Sequence, residues 1–154
     1  MILLPEPDPV LSKIRAVIEV TACNPAASRE LIDDDVEWRL AAPFPGWLRT
    51  VYRSCNGFCG PTGVRYLYPL DGRDGVLELN LFLRDEDWAP PWLNRAIVFS
   101  DNGAGGSITT HWVALDGALI QWCYGDGADF TVLDCDLFEL WRREQERWDA
   151  VSIE

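Results

Sequence analysis

The sequence predicts an α+β fold: a single domain, residues 1–154, with a mainly antiparallel sheet of about 5–6 strands flanked by helices. Three observations carry this. From Ala96 onward the apolar period is two, the spacing of a strand with one buried face. An Asp116-Gly117 pair sits between two such runs, which is the sequence signature of a tight hairpin. Capped amphipathic segments lie at both ends of the chain, where helices would close over the sheet. With 154 residues, 48% of them apolar and eight tryptophans, one core can form without disulfides or a structural metal.

Taken in order, Asp8-Pro9 opens the first helix, with aspartate as N-cap and proline at the first helical position. Val10, Leu11, Ile14, Val17 and Ile18 form its apolar stripe, which should run to about Val20. Cys23, Asn24 and Pro25 break it, and residues 26–32 are expected to add a short helical piece. Val36, Trp38 and Leu40 alternate with Glu37 and Arg39, which predicts a short strand. Prolines 43 and 45 then keep the chain extended.

The stretch from Pro45 to Leu70 reads helix, stop, strand. Trp47, Leu48, Val51, Tyr52 and Cys55 share one helical face. Asn56-Gly57 ends the helix, because these residue types reach the left-handed region at least cost. Val64, Tyr66 and Tyr68 then alternate with Arg65 and Leu67, predicting a strand closed by Pro69. Residues 76–83 alternate leucines like a strand, but Asp74 is placed to cap and leucine favours a helix, so helix is the reading preferred. Asp85, Glu86, Asp87 and Trp88 lead a loop that ends in Pro90-Pro91-Trp92.

The last third predicts a meander of about four strands: residues 96–99, 108–115, 118–124 and 130–133. Asp136 followed by Glu139 is a capping box that opens a final helix with Leu137, Leu140, Trp141 and Trp148 facing the core.

Net charge is −12, and no Lys or Arg occurs between Arg95 and Arg142, a window holding seven acidic residues. That distribution argues against direct nucleic-acid binding, whose affinity rests on cations neutralising phosphates. A basic protein surface is the compatible partner. The candidate contacts are Asp85, Glu86, Asp87, Trp88, Asp101, Asp126 and Asp129: carboxylates steer encounter, and an exposed indole beside them makes an anchor. No apolar run reaches membrane-spanning length, and the N-terminal MILLPEPDPV lacks a basic leader, so a cytoplasmic location without membrane association is expected. Five cysteines at irregular spacing fit reduced thiols.

No catalytic or cofactor motif stands out. His111 is the sole histidine, so an imidazole mechanism would have to use it, yet it lies mid-strand without a nucleophile elbow or cysteine signature nearby. Cys55, Cys59, Cys123 and Cys135 do not make the two tight pairs of a structural zinc site. The glycines of 101–107 lack the lysine and following helix of a phosphate loop, and Asp126 and Asp129 lack the pattern of a calcium loop. No catalytic residue, no metal and no cofactor is therefore expected.

The helix ending in Asn56-Gly57, the strand ending Tyr68-Pro69-Leu70, the run Ile97-Val98-Phe99-Ser100-Asp101 leading to Gly105-Gly106, and Trp112 to Ile120 with its Asp116-Gly117 turn occur in a familiar order. In that order the chain resembles the SUKH (Smi/Knr-like) superfamily, over about residues 45–141. Ser107 stands where the family often has an acidic residue. The resemblance implies a SUKH-like domain with a binding role and no catalysis, most often as a bacterial immunity protein neutralising a toxin, frequently a nuclease. An intracellular Smi/Knr-like regulatory adaptor or scaffold is the alternative within the family, and an enzyme using His111 is the alternative outside it.

Overall fold

The computed structural model describes residues 8–61, 63–103, 109–123 and 127–152. Helix α1 (Pro9–Val17) starts as the sequence predicts, with the Asp8 carboxylate accepting from the Val10 and Leu11 amides at 2.8 and 3.1 Å. Those two donors have no partner inside the helix, which is why the cap stabilises it. The amide of Leu11 is also the main reason the Asp8 carboxyl is held below its ordinary range. The helix ends at Val17, three residues short of the expected stop.

Strand β1 (Ala22–Cys23) pairs antiparallel with β2 (Phe58–Cys59) in a small two-stranded sheet. This sheet was not expected from sequence. The pairing continues as Asn24 N–H to Gly57 O and Asn56 N–H to Pro25 O, both 3.0 Å. It brings the Cα atoms of Cys23 and Cys55 to 6.4 Å, and the two sulfurs are joined as a disulfide across 32 residues. The expectation of wholly reduced thiols is corrected at this pair, because alignment of β1 with β2 supplies a proximity that irregular spacing hides. Cys59, Cys123 and Cys135 are free.

Residues 31–40 are helical: a π-helical segment (Leu31–Glu37) runs directly into α2 (Trp38–Leu40). The strand expected over 36–40 is absent. Ile32, Val36 and Leu40 recur every fourth residue and all are buried, so helical burial overrides the short alternation. Helix α3 (Gly46–Tyr52) follows and ends earlier than expected: its C-cap is Arg53 in a right-handed conformation, so Asn56-Gly57 does not cap it, although Gly57 does take φ +98° in the loop beyond. A Cβ at Gly57 would lie 2.7 Å from the Pro69 nitrogen, so both conformation and space demand glycine.

The strand expected over 64–68 reduces to a single antiparallel bridge between Leu67 and Phe58. Val64, Tyr66, Leu67 and Tyr68 are all buried, so the alternation does not separate two faces. Residues 76–84 form helix α4 (Val76–Arg84), and a 3-10 turn (Pro91–Arg95) leads into the main sheet.

That sheet has the order β3 (Ala96–Asp101), β4 (Thr109–Ala114), β5 (Leu119–Cys123), β6 (Thr131–Val132), all antiparallel. The meander matches the expectation; the anticipated set of five to six strands is divided between sheets of two and four. Gly117 at φ +90° and the Asp116 carboxylate on the Ala118 amide close the β4–β5 hairpin. Register places Val98, Trp112, Ile120 and Val132 on one face and Ser100, His111, Gln121 and Thr131 on the other, with a bulge between Val98 and Ser100.

Helix α5 (Leu137–Ser152) is capped by the Asp136 carboxylate on the Glu139 amide at 2.8 Å. It buries Leu137, Leu140 and Trp141, and the Trp141 indole N–H reaches the Tyr66 carbonyl at 3.2 Å. Among the described residues no helix is long and apolar enough to cross a membrane.

Candidate functional site

Tryptophan dominates one side of the main sheet. Trp112 and Trp122 project from neighbouring strands onto the same face, 6.1 Å apart and edge-on. Trp92, delivered by the 3-10 turn, packs edge-on against both at 5.3 and 5.6 Å, and Phe130 closes on Trp92 at 4.9 Å. Trp88 lies outermost, stacked on Trp122 at 6.4 Å with 13° between planes. These offset-stacked and edge-to-face geometries suit the ring quadrupoles.

Each inner indole N–H has an acceptor. Trp112 donates to Thr110 Oγ1 at 2.7 Å, and that hydroxyl donates onward to the Trp122 carbonyl at 2.8 Å. Trp122 donates to Gly127 O at 2.9 Å and Trp92 to Ala128 O at 3.0 Å. The bond from Trp92 draws the turn after β5 against the segment after α4, 36 residues away in sequence, while the bond from Trp122 folds that turn back on its own strand. A satisfied polar network of this kind fixes the rings in place.

The platform is not fully covered. Trp88 is 53% exposed, Phe130 43% and Val132 59%, so large apolar surface faces solvent above a rigid aromatic base. Asp85 and Asp87 are exposed and Glu86 is half-buried, all immediately before Trp88; Asp129 is exposed immediately before Phe130. Of the seven sequence-predicted contacts, Trp88 is on this aromatic face, with Asp85, Glu86 and Asp87 in the chain segment that leads to it and Asp129 in the turn that leads to Phe130. Asp101 does not join them as a free carboxylate. Its oxygens accept from the Tyr68 hydroxyl at 2.7 Å and the Gly103 amide at 2.8 Å, which makes it a structural acceptor at the end of β3. Asp126 lies outside the described residues.

Sequence reading missed Trp92, Trp122, Phe130 and Val132 as parts of this surface. A signal existed for one of them: once the Asp116-Gly117 turn sets register, Trp122 must share a face with Trp112. Trp92 and Phe130 had none, since only the bond to Ala128 brings their segments together.

A second exposed aromatic, Trp38 at 78%, borders an open recess with Asp33 and Glu37, whose carboxylates both pair with Arg49. Among the described residues no ring stacks on it as Trp122 does on Trp88.

His111 is 1% exposed, with Nδ1 3.5 Å from Ser100 Oγ and Nε2 without a hydrogen-bond partner among the described residues. Burial, aided by the Arg147 guanidinium on α5, lowers its pKa to about 4, while Gln121 alongside pulls the other way. The ring is therefore neutral at physiological pH, and it lines none of the surface recesses described for this molecule. Among the described residues no group of three or more His, Cys, Asp or Glu side chains converges as a metal site.

This buried ring sets a pH dependence. The folded state resists protonation down to about pH 4, whereas the unfolded chain takes up the proton near 6.5. His111 therefore contributes nothing to destabilisation above about 6.5 and costs up to about 3 kcal/mol as pH falls through that window to about 4. Denaturant melts at pH 7 and 4.5 should show that loss in the native chain and a flatter profile in His111→Gln. Equal slopes in the two proteins would mean that the ring is not buried as described. Glu139, lowered to about 2 mainly by its bond to Arg142, titrates below this window.

Compared with family models, curated proteins and solved structures, the chain matches none of them.

Proposed function

We propose that this chain is a non-enzymatic protein-binding domain that engages a basic partner through the face around Trp88 and Phe130. The observation that supports this is a half-exposed tryptophan stacked on a rigid indole base, reached by a segment that carries Asp85, Glu86 and Asp87 and neighbouring Phe130, which Asp129 precedes. Such an arrangement has the anatomy of an interface hot spot, in which an aromatic anchor slows dissociation and charged neighbours speed encounter. A catalytic use of His111 is the weaker reading, because a neutral ring sealed from solvent cannot meet a substrate.

The resemblance to the SUKH superfamily rests on motif order alone. It narrows the proposal to a cytoplasmic immunity protein with a SUKH-like fold, holding a toxin domain, possibly a nuclease, in an inactive complex. A regulatory adaptor would use the same surface for a different partner, and only the immunity role requires a toxin encoded beside this chain's gene.

The test is co-expression with the product of the adjacent gene, scored by growth, with affinity measured on the purified pair. Trp88→Ala is expected to weaken binding about 30-fold, the loss of about 2 kcal/mol typical of a central aromatic anchor, and to abolish rescue. Reversing Asp85, Asp87 and Asp129 together to lysine should slow association and flatten its salt dependence. Unchanged affinity in the Trp88 variant would remove this face from the proposal.

A further inference from the structure

The two edges of the main sheet are treated differently. On β3, the Asn80 side chain bonds both the amide and the carbonyl of Val98, at 3.0 and 3.1 Å, and the Tyr68 amide takes the Phe99 carbonyl at 2.8 Å. That edge is closed. On β6 the bond from Leu133 N–H to Leu119 O, at 2.8 Å, fixes the ladder phase: Ile120 and Val132 are a non-hydrogen-bonded pair. The N–H and C=O of Val132 therefore point away from β5. Thr131 and Val132 are exposed, so these groups face solvent.

Apart from its length of two residues, β6 lacks the usual edge protection. It carries no lysine, no proline and no bulge, and it is not covered by a helix. Val132 lies next to Phe130 on the exposed aromatic side. On the other side the strand runs between two recesses. One, of about 120 Å3, is bounded by Gln121, Phe130 and Thr131; the other, of about 550 Å3, is bounded by Trp47, Leu119, Leu133 and Phe138. An extended chain along β6, rising about 3.3 Å per residue, would set alternate side chains against the aromatic face and over these recesses.

We infer that β6 is a docking edge at which the basic partner contributes an extended segment as a fifth strand of the sheet. This rests on the reading of the neighbouring Trp88 face as a protein-binding surface and specifies how the partner is held. Charge selects the occupant. Asp129 and Asp134 flank the strand, and Asp134 is 92% exposed with only a 3.6 Å pairing to Arg143. Two copies of β6 laid antiparallel would bring these carboxylates close to one another, whereas a segment alternating basic and apolar residues would meet them favourably. Backbone hydrogen bonds supply affinity in this mode and the recesses supply preference for side chains.

The probe is a short soluble peptide alternating lysine and valine, titrated against the full chain, beside the same peptide N-methylated on alternate backbone nitrogens and a glutamate-valine counterpart. The protein variant is Val132→Pro, which removes an outward N–H without touching the bonds to β5. Strand addition is expected to protect the Val132 amide from hydrogen exchange. The N-methylated peptide and Val132→Pro should each weaken binding about tenfold or more, with the variant's thermal midpoint unchanged. Equal binding of the methylated peptide, equal binding by a folded Val132→Pro, or concentration-dependent dimerisation through β6 would each overturn the inference. A partner complex sensitive to Trp88→Ala but indifferent to Val132→Pro would sink strand addition alone and leave the proposed face standing; indifference to Trp88→Ala would sink the face.

Discussion

Replacing Arg84 by methionine is expected to destabilise the domain by about 4 kcal/mol while leaving its apolar stem in place. Arg84 ends helix α4 and its guanidinium reaches three carbonyls: Leu40 at 2.7 Å, Ala96 at 3.1 Å and Leu93 at 3.3 Å. These belong to α2, the start of β3 and the 3-10 turn, so one fork joins three chain segments that share no strand pairing. Leu40, Leu93 and Ala96 are buried. The Leu93 carbonyl keeps a second donor, the Ala96 amide, but the Leu40 carbonyl loses its charged partner. Each charge-assisted bond contributes about 1.5–3 kcal/mol, and an orphaned buried carbonyl costs about as much. Burial lowers the arginine's pKa, yet it stays charged throughout the accessible range. Lysine has the charge without the fork, so Arg84→Lys should recover no more than about half of the loss in equilibrium denaturation. Full recovery by lysine would mean that charge alone, and not the geometry of the fork, holds these segments together.

Asn80→Leu should be comparably damaging, at about 4 kcal/mol, although leucine keeps the branched skeleton of asparagine; its bulkier methyl groups add some overpacking to the lost bonds. Asn80 is fully buried, and its amide substitutes for a neighbouring strand at the outer edge of β3. It donates to the Val98 carbonyl and accepts from the Val98 amide, and donates also to the Val76 carbonyl at 2.7 Å. Leucine would leave both Val98 groups unpaired in a dry site, where each costs about 1–3 kcal/mol. Hydrogen exchange should locate the damage: the Val98 amide is expected to lose protection in this variant before amides of β4 do. A loss below about 1 kcal/mol would show that water reaches this edge and that the side chain is not closing it.

Local chemistry was the legible part of the sequence. Asp8-Pro9, Asp116-Gly117 and Asp136 with Glu139 each satisfy a specific set of backbone groups within four residues, and each reappears as the cap or turn it implies. Short alternating runs misled where both faces are buried. Residues 36–40 took the helical period already present in Ile32, Val36 and Leu40, and residues 64–68 have core on both sides. The β1–β2 pairing and the Cys23–Cys55 link depend on contacts more than thirty residues apart, for which neither strand offers more than two residues of pattern.

The candidate surface divides in the same way. The acidic triplet and Trp88 announce an exposed loop, and Asp129 announces a turn, but their meeting depends on the Trp92 bond to Ala128 and on Trp88 lying over Trp122. Asp101 looked equivalent in sequence, and only the Tyr68 hydroxyl, thirty-three residues upstream, marks it as occupied.

Hydrogen-exchange mapping of the complex with the adjacent gene's product tests the binding face most directly. Binding is expected to raise protection at residues 85–88 and 127–132, with little change around Trp38 and Phe82, the other large exposed aromatics. Protection centred on Trp38, with residues 85–88 and 127–132 exchanging as in the free protein, would contradict it.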